Sequence, residues 1–175
     1  MRPTNVYVAL TVALAVSAQT PAPTPPATTS DDCPAAANAT AHFLGSAAFA
    51  VHAPRGKLSL VPVDDEAARE RGLMCVVRIP PGKGMIFVFA PPDRPQSFWM
   101  KNTLVALDMV FVDAAGTVTA VAPRVPPTPN GTPDYAVARR SGYGQFVIEL
   151  GAGDAARHGI VRGTKLAPPA LTAQP

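Results

Sequence analysis

Four hydrophilic residues, Lys101, Asn102, Asp108 and Glu149, stand in or beside apolar runs. The runs are Phe98-Trp-Met100, Ala106-Leu-Asp-Met-Val-Phe-Val112 and Phe146-Val-Ile-Glu-Leu150. A charge in such a setting costs several kcal/mol unless it is partnered. Two arrangements meet that cost. The groups can pair with one another and fix strand register, or they can line a shallow pocket that holds a polar ligand and moves a proton. Trp99, next to Lys101, adds a flat ring that either fills core space or stacks on a sugar or peptide. Trp99, Lys101, Asn102, Asp108 and Glu149 are therefore the candidate ligand-binding residues.

Other chemistry is less well provided for. Met74, Met85, Met100 and Met109 are soft thioether donors of the kind copper(I) takes, and the Trp99 indole could cap such an ion. Their spacing gives no Met-x-Met array, and His42, His52 and His158 are scattered. Met85 falls in step with Phe87 and Phe89, and Met109 with Leu107 and Phe111, as core residues do on strands. No metal or cofactor is expected on this reading. The chain has no Gly-x-Ser-x-Gly elbow, His-Glu-x-x-His helix, phosphate-binding glycine loop or Cys-x-x-Cys. A hydrolase would have to use Asp108 and Glu149 as its acid and base, so binding is favoured over catalysis. Cys33 and Cys75 could pair and staple the N-terminal extension to the domain, or remain free thiols; pairing is the expectation.

The elements that must carry these residues are short. Leu58–Val63 alternates like a strand, with Pro62 pushing it to an edge or its own end. Residues 64–71 place acids first and arginines last before Gly72, the pattern of a short capped helix. Residues 85–89, 98–100, 106–112, 117–122 and 146–150 are further strands, with a turn at Asp113-Ala-Ala-Gly116. A second helical turn is expected at residues 153–158. The predicted fold is α+β, mainly antiparallel β and compact, with two short helices; barrel-like closure is one form it could take. Residues 123–145 hold prolines and no periodic pattern, and read as a surface flap over the site or as disorder.

Composition sets the frame. The 175 residues carry 15 Lys+Arg against 12 Asp+Glu, a net +3 without dense basic runs, so no nucleic-acid partner is expected. Two distant cysteines exclude a disulfide-dense scaffold and a four-cysteine zinc site. Met1-Arg2, an apolar run from Val6 and the small residues Val16-Ser-Ala18 read as a cleaved signal peptide over residues 1–18. The run is shorter than the roughly 20 residues a membrane helix needs. The expectation is a periplasmic or secreted protein without a membrane span after cleavage. Residues 19–42 read as a Pro/Ala-rich flexible linker, 43–166 as one domain and 167–175 as a disordered tail.

Five blocks occur in a fixed order: Arg71-Gly-Leu-Met74, Gly84–Phe89, Phe98-Trp-Met-Lys-Asn-Thr103, Leu107–Phe111 and Val147–Gly153. Together they resemble the domain of unknown function 192 (DUF192) family of small, often exported prokaryotic proteins, over roughly residues 58–166. The resemblance implies a compact β-rich fold and brings no enzymatic activity with it. The functional expectation is an exported binding or accessory module for a small polar molecule or cell-wall component. The alternatives are a hydrolase using Asp108 and Glu149, and a copper(I)-handling protein using the methionines and Trp99.

Overall fold

The computed structural model describes Cys33 and residues 36–166. The signal peptide read at residues 1–18, most of the linker and the C-terminal tail lie outside the described residues. The chain runs through α1 (Ala36–Gly45), β1 (Phe49–Ala53), β2 (Gly56–Val63), α2 (Glu66–Arg71), β3 (Lys83–Val88) and β4 (Arg94–Trp99). It continues through β5 (Leu107–Val112), β6 (Val118–Val125), a 3-10 turn at Asp134–Ala136, β7 (Arg139–Gly144), β8 (Phe146–Gly151) and α3 (Asp154–Arg157).

Six strands form one sheet in the order β1-β2-β3-β8-β5-β6, and β4 and β7 form a separate two-stranded ribbon. All neighbours are antiparallel except β2 and β3. That parallel pair needs a crossover, which α2 and the loop after it supply. Asp65 caps α2, its Oδ1 accepting from Ala68 N at 2.8 Å, and Gly72 ends the helix in a positive-φ conformation. The mainly antiparallel β fold is as expected, but the sheet stays open, with β1 and β6 as its edges.

Strands β5 and β8 are buried almost throughout because the sheet is covered on both faces. On one face Val61, Met85, Phe87, Met109, Phe111 and Val147 pack with Phe43 of α1, with Leu73 and Val76 after α2, and with the ribbon. On the other, Leu60, Ile86, Val110, Ile148 and Leu150 pack with Ala155, Ile160 and Leu166 of the C-terminal segment.

The sequence reading has no strand at β1 and starts β4 only at Phe98, and two further stretches differ from it. The Ala-rich end of the presumed linker forms α1, a third helix, because Phe43 docks in the core at 2% exposure and tertiary packing sustains short helices. The stretch read as an irregular flap is largely built. Strand β6 runs to Val125 and β7 starts at Arg139. Between them, Thr128 N bonds Thr103 O and Met100 N bonds Ala138 O, both at 2.9 Å. Strand β7 lacks an apolar alternation because it pairs only with β4, and backbone pairing needs no particular side chains. Its Gly142 lets the ribbon lie against the Phe111 ring, which a Cβ there would overlap.

Candidate functional site: a cleft around Glu149

Register places Glu149 opposite both Met85 of β3 and Met109 of β5, so its side chain shares their face of the sheet. Glu149 is 4% exposed. Burial pushes its carboxyl from 4.5 up to about 8, which favours the protonated form at pH 7. No hydrogen bond joins this carboxyl group to another described residue, and its oxygens are not among the described atoms that are both unpartnered and fully sealed from solvent.

Glu149 lines a cleft of about 400 Å³ between the end of α2 and the β4 ribbon. Phe87, Phe89, Phe98 and Trp99 form aromatic walls. Phe98 meets Phe87 edge to face, with ring centroids 4.8 Å apart, and Phe89 at 6.2 Å. The rim is cationic. The Arg69 guanidinium lies 5.4 Å from the Phe89 ring and Arg94 lies 5.8 Å from it. Lys101 bonds Asp134 at 2.5 Å and sits 5.5 Å from the Trp99 ring, which Arg139 approaches to 4.7 Å. Arg69 also donates to Val88 O at 3.1 Å and to Asp64 O. The side chains of Arg71 and Arg94, both exposed, form no hydrogen bond or ion pair with another described residue, although both backbones are bonded.

A larger cleft of about 1190 Å³ adjoins it between α1 and α2, floored by Val61, Val63 and Met85. Trp99, Met74 and Arg71 line both spaces. The Cys33–Cys75 disulfide forms, as expected, at the edge of this second cleft and ties the chain just before α1 to the loop after α2.

Trp99, Lys101 and Glu149 thus come together, as the sequence suggested. Asp108 and Asn102 do not. Asp108 pairs with Leu150 and faces the opposite side of the sheet from Glu149, because side chains alternate along β5. Its carboxylate is fully used by backbone donors: Oδ1 accepts from Arg124 N at 2.8 Å, and Oδ2 from Gly153 N and Ala155 N at 2.9 Å. The last two bonds cap α3, which makes Asp108 a structural residue. The acid–base pair required by the hydrolase alternative is therefore split by the sheet. Asn102 adopts a positive φ of 49° in the turn after β4, where its carbonyl accepts from Cys75 N at 2.8 Å. Met85, Met100 and Met109 are buried in one apolar cluster, the packing role that alternation indicated for Met85 and Met109.

Arg69, Arg71 and Arg94 were missed as rim residues. Arg69 and Arg71 read as the ordinary basic end of a helix, and only the packing of that helix end beside β4 brings them to the cleft that Glu149 also lines.

A family model described as an uncharacterized ACR, DUF192, matches residues 50–168. A crystal structure from Sinorhizobium meliloti 1021, described as that of a candidate transcription regulator, is similar at a TM-score of 0.59 and 30% identity. The match covers 67% of this chain and 91% of that one. A protein of unknown function from Novosphingobium aromaticivorans DSM 12444 is similar at a TM-score of 0.56 and 29% identity, over 68% and 82% of the two chains. No curated protein matches this chain.

Proposed function

The chain belongs to the DUF192 family, and from that premise we propose that it is an exported binding or accessory module that takes a small polar ligand in the Glu149 cleft. One observation carries this reading: a carboxyl group that is buried, neutral and unpartnered among the described residues faces a cleft lined by aromatic rings and cations. Unpartnered buried polar groups with perturbed acidity collect at binding and catalytic sites. A lone carboxyl suits binding better than hydrolysis, since the second carboxylate is committed on the far side of the sheet. The cations gather around a concavity rather than along an exposed stripe, which supports a small ligand over a nucleic acid.

Export is supported by the basic start and apolar run at the N-terminus and by a disulfide of the kind that persists in oxidising compartments. The periplasm or the extracellular space is the proposed location. N-terminal sequencing of protein recovered from the envelope or medium should find Gln19 first; Met1 on cytoplasmic protein would refute export. For the cleft, a thermal-shift screen of polar metabolites and wall fragments should find compounds that raise the melting temperature with concentration. The response should be lost when Trp99 is replaced by Ala. A response unchanged by that substitution would place the ligand elsewhere.

A further inference from the structure

We infer that the cleft is selective for sugar acids, hydroxylated carboxylic acids whose carboxylate meets Arg71 and Arg94 at the mouth while a hydroxyl reaches Glu149 at the base. This rests on the ligand-binding reading above and names the class of ligand.

The charge balance comes first. Arg69, Arg71, Arg94 and Lys101 line the cleft against Glu66 and Glu70, with Glu149 neutral, so the space is net cationic and favours an anion. Arg69 and Lys101 are already engaged, by backbone carbonyls and by Asp134. Arg71 and Arg94 have no such partner. A guanidinium presents a planar fork that matches the two oxygens of a carboxylate.

The base of the cleft makes a second demand. A protonated carboxyl donates one hydrogen bond and still accepts others. A hydroxyl group does both, so one ligand hydroxyl answers Glu149 in both directions. An alkyl group would leave it unpartnered, and a ligand carboxylate pushed inward would meet too few donors there. Charge therefore belongs at the mouth and hydroxyls at the base.

Size and walls fit the same class. About 400 Å³ lies toward the low end of the roughly 300–1,000 Å³ typical of small-molecule sites. Such a space is large enough for one sugar ring. Phe89 and Trp99, whose rings also carry cation contacts, are the partly exposed aromatic walls against which the apolar C–H face of a pyranose would lie while its hydroxyl edges remain free to bond.

Trp99 is the only tryptophan, so intrinsic fluorescence reports directly on the cleft, and calorimetry gives affinities. The probes are glucuronate, glucose, glucose 6-phosphate and hexanoate. Glucuronate should bind roughly tenfold or more tightly than glucose, the effect of one charged hydrogen-bonded contact. Arg94→Gln and Arg71→Gln should bring glucuronate down toward glucose, with a markedly larger loss for glucuronate than for glucose. Glu149→Met should weaken both sugars by roughly tenfold, whereas Glu149→Gln, whose amide also donates and accepts, should retain most of the affinity. Melting curves of each variant verify folding, and the exposed arginine variants test the charge argument even if Glu149→Met does not fold. Equal binding of glucose and glucuronate would overturn the inference, as would stronger binding of glucose 6-phosphate, which would mark a phosphate site, or of hexanoate, which would remove the hydroxyl requirement. If none of the four probes binds while another polar compound stabilises the protein through Trp99, the sugar-acid class fails and the cleft reading stands. If no polar compound stabilises it at all, both fail.

Discussion

Asp108 shows how far a residue's type falls short of its role. A carboxylate inside an apolar strand suggested a site, yet three backbone N–H groups from Arg124, Gly153 and Ala155 take both its oxygens. Hydrogen bonds to a charged group contribute about 1.5–3 kcal/mol each. Asn at this position keeps one acceptor oxygen and turns an NH2 toward a donor. Asp108→Asn should therefore cost about 2–4 kcal/mol in urea unfolding without altering ligand affinity in the Glu149 cleft. A variant of native stability would show that the caps on α3 carry little of the fold. Glu149, one strand away, has the opposite fate, since no described donor reaches it. Both residues looked alike in the sequence because each follows the same apolar, acidic, apolar pattern.

At the scale of elements, α2 was legible because its signals are local: Asp65 as cap, arginines in the last turn and Gly72 as stop. Helix α1 was not, because its first turns are mostly small residues without a cap or an apolar stripe and its stability comes from Phe43 and from a covalent tie. The disulfide closes a loop with a sequence separation of 42. In the chain-entropy picture, a bridge of this kind stabilises by about 2–4 kcal/mol. Replacing both cysteines by Ser should lower the urea midpoint by that amount and abolish any effect of reductant on the parent's curve. If reductant leaves the parent unchanged, Phe43 packing alone holds α1. The ribbon is an element of another kind. Its strand β7 has no hydrophobic alternation, but Gly142 sits so close to Phe111 that Gly142→Ala should destabilise by about 1–3 kcal/mol through overpacking, measured as a drop in melting temperature. An unchanged melting temperature would mean that the ribbon can lift from the sheet without cost.

The whole molecule sets the pH response. As pH climbs from about 4.5 to about 8, the unfolded chain gives up the Glu149 proton while the folded protein keeps it, so this group makes stability fall across that window. His158 acts at the other end. Burial, and then the Arg157 charge, hold its pKa below 6.5, so the folded state resists protonation and loses stability as pH falls below 6.5. Glu149→Gln should leave stability near pH 5 little changed and raise it progressively toward about pH 8, by up to a few kcal/mol. Urea midpoints of the two proteins across this range test it; a constant difference would mean that Glu149 does not hold its proton in the folded state.

By itself the sequence determined the strands with clear apolar patterning (β2, β3, β5, β6 and β8), the capped helix, the hairpin turn at Asp113–Gly116 and the family membership, because alternation, capping and turn chemistry act between residues a few positions apart; β1, β7 and most of β4 lack that signal. It singled out Trp99, Lys101 and Glu149, with Asn102 and Asp108, as residues that either fix the scaffold or line a site, and left the two readings open. Only the tertiary structure decided that Asp108 and Glu149 part company. That outcome depends on strand register, which sets which side chains share a face across β3, β8 and β5. The same holds for the arginine rim, which exists because the end of α2 packs beside the β4 ribbon. Distances between residues far apart in the chain follow from how sheets and helices stack, and no local pattern encodes them.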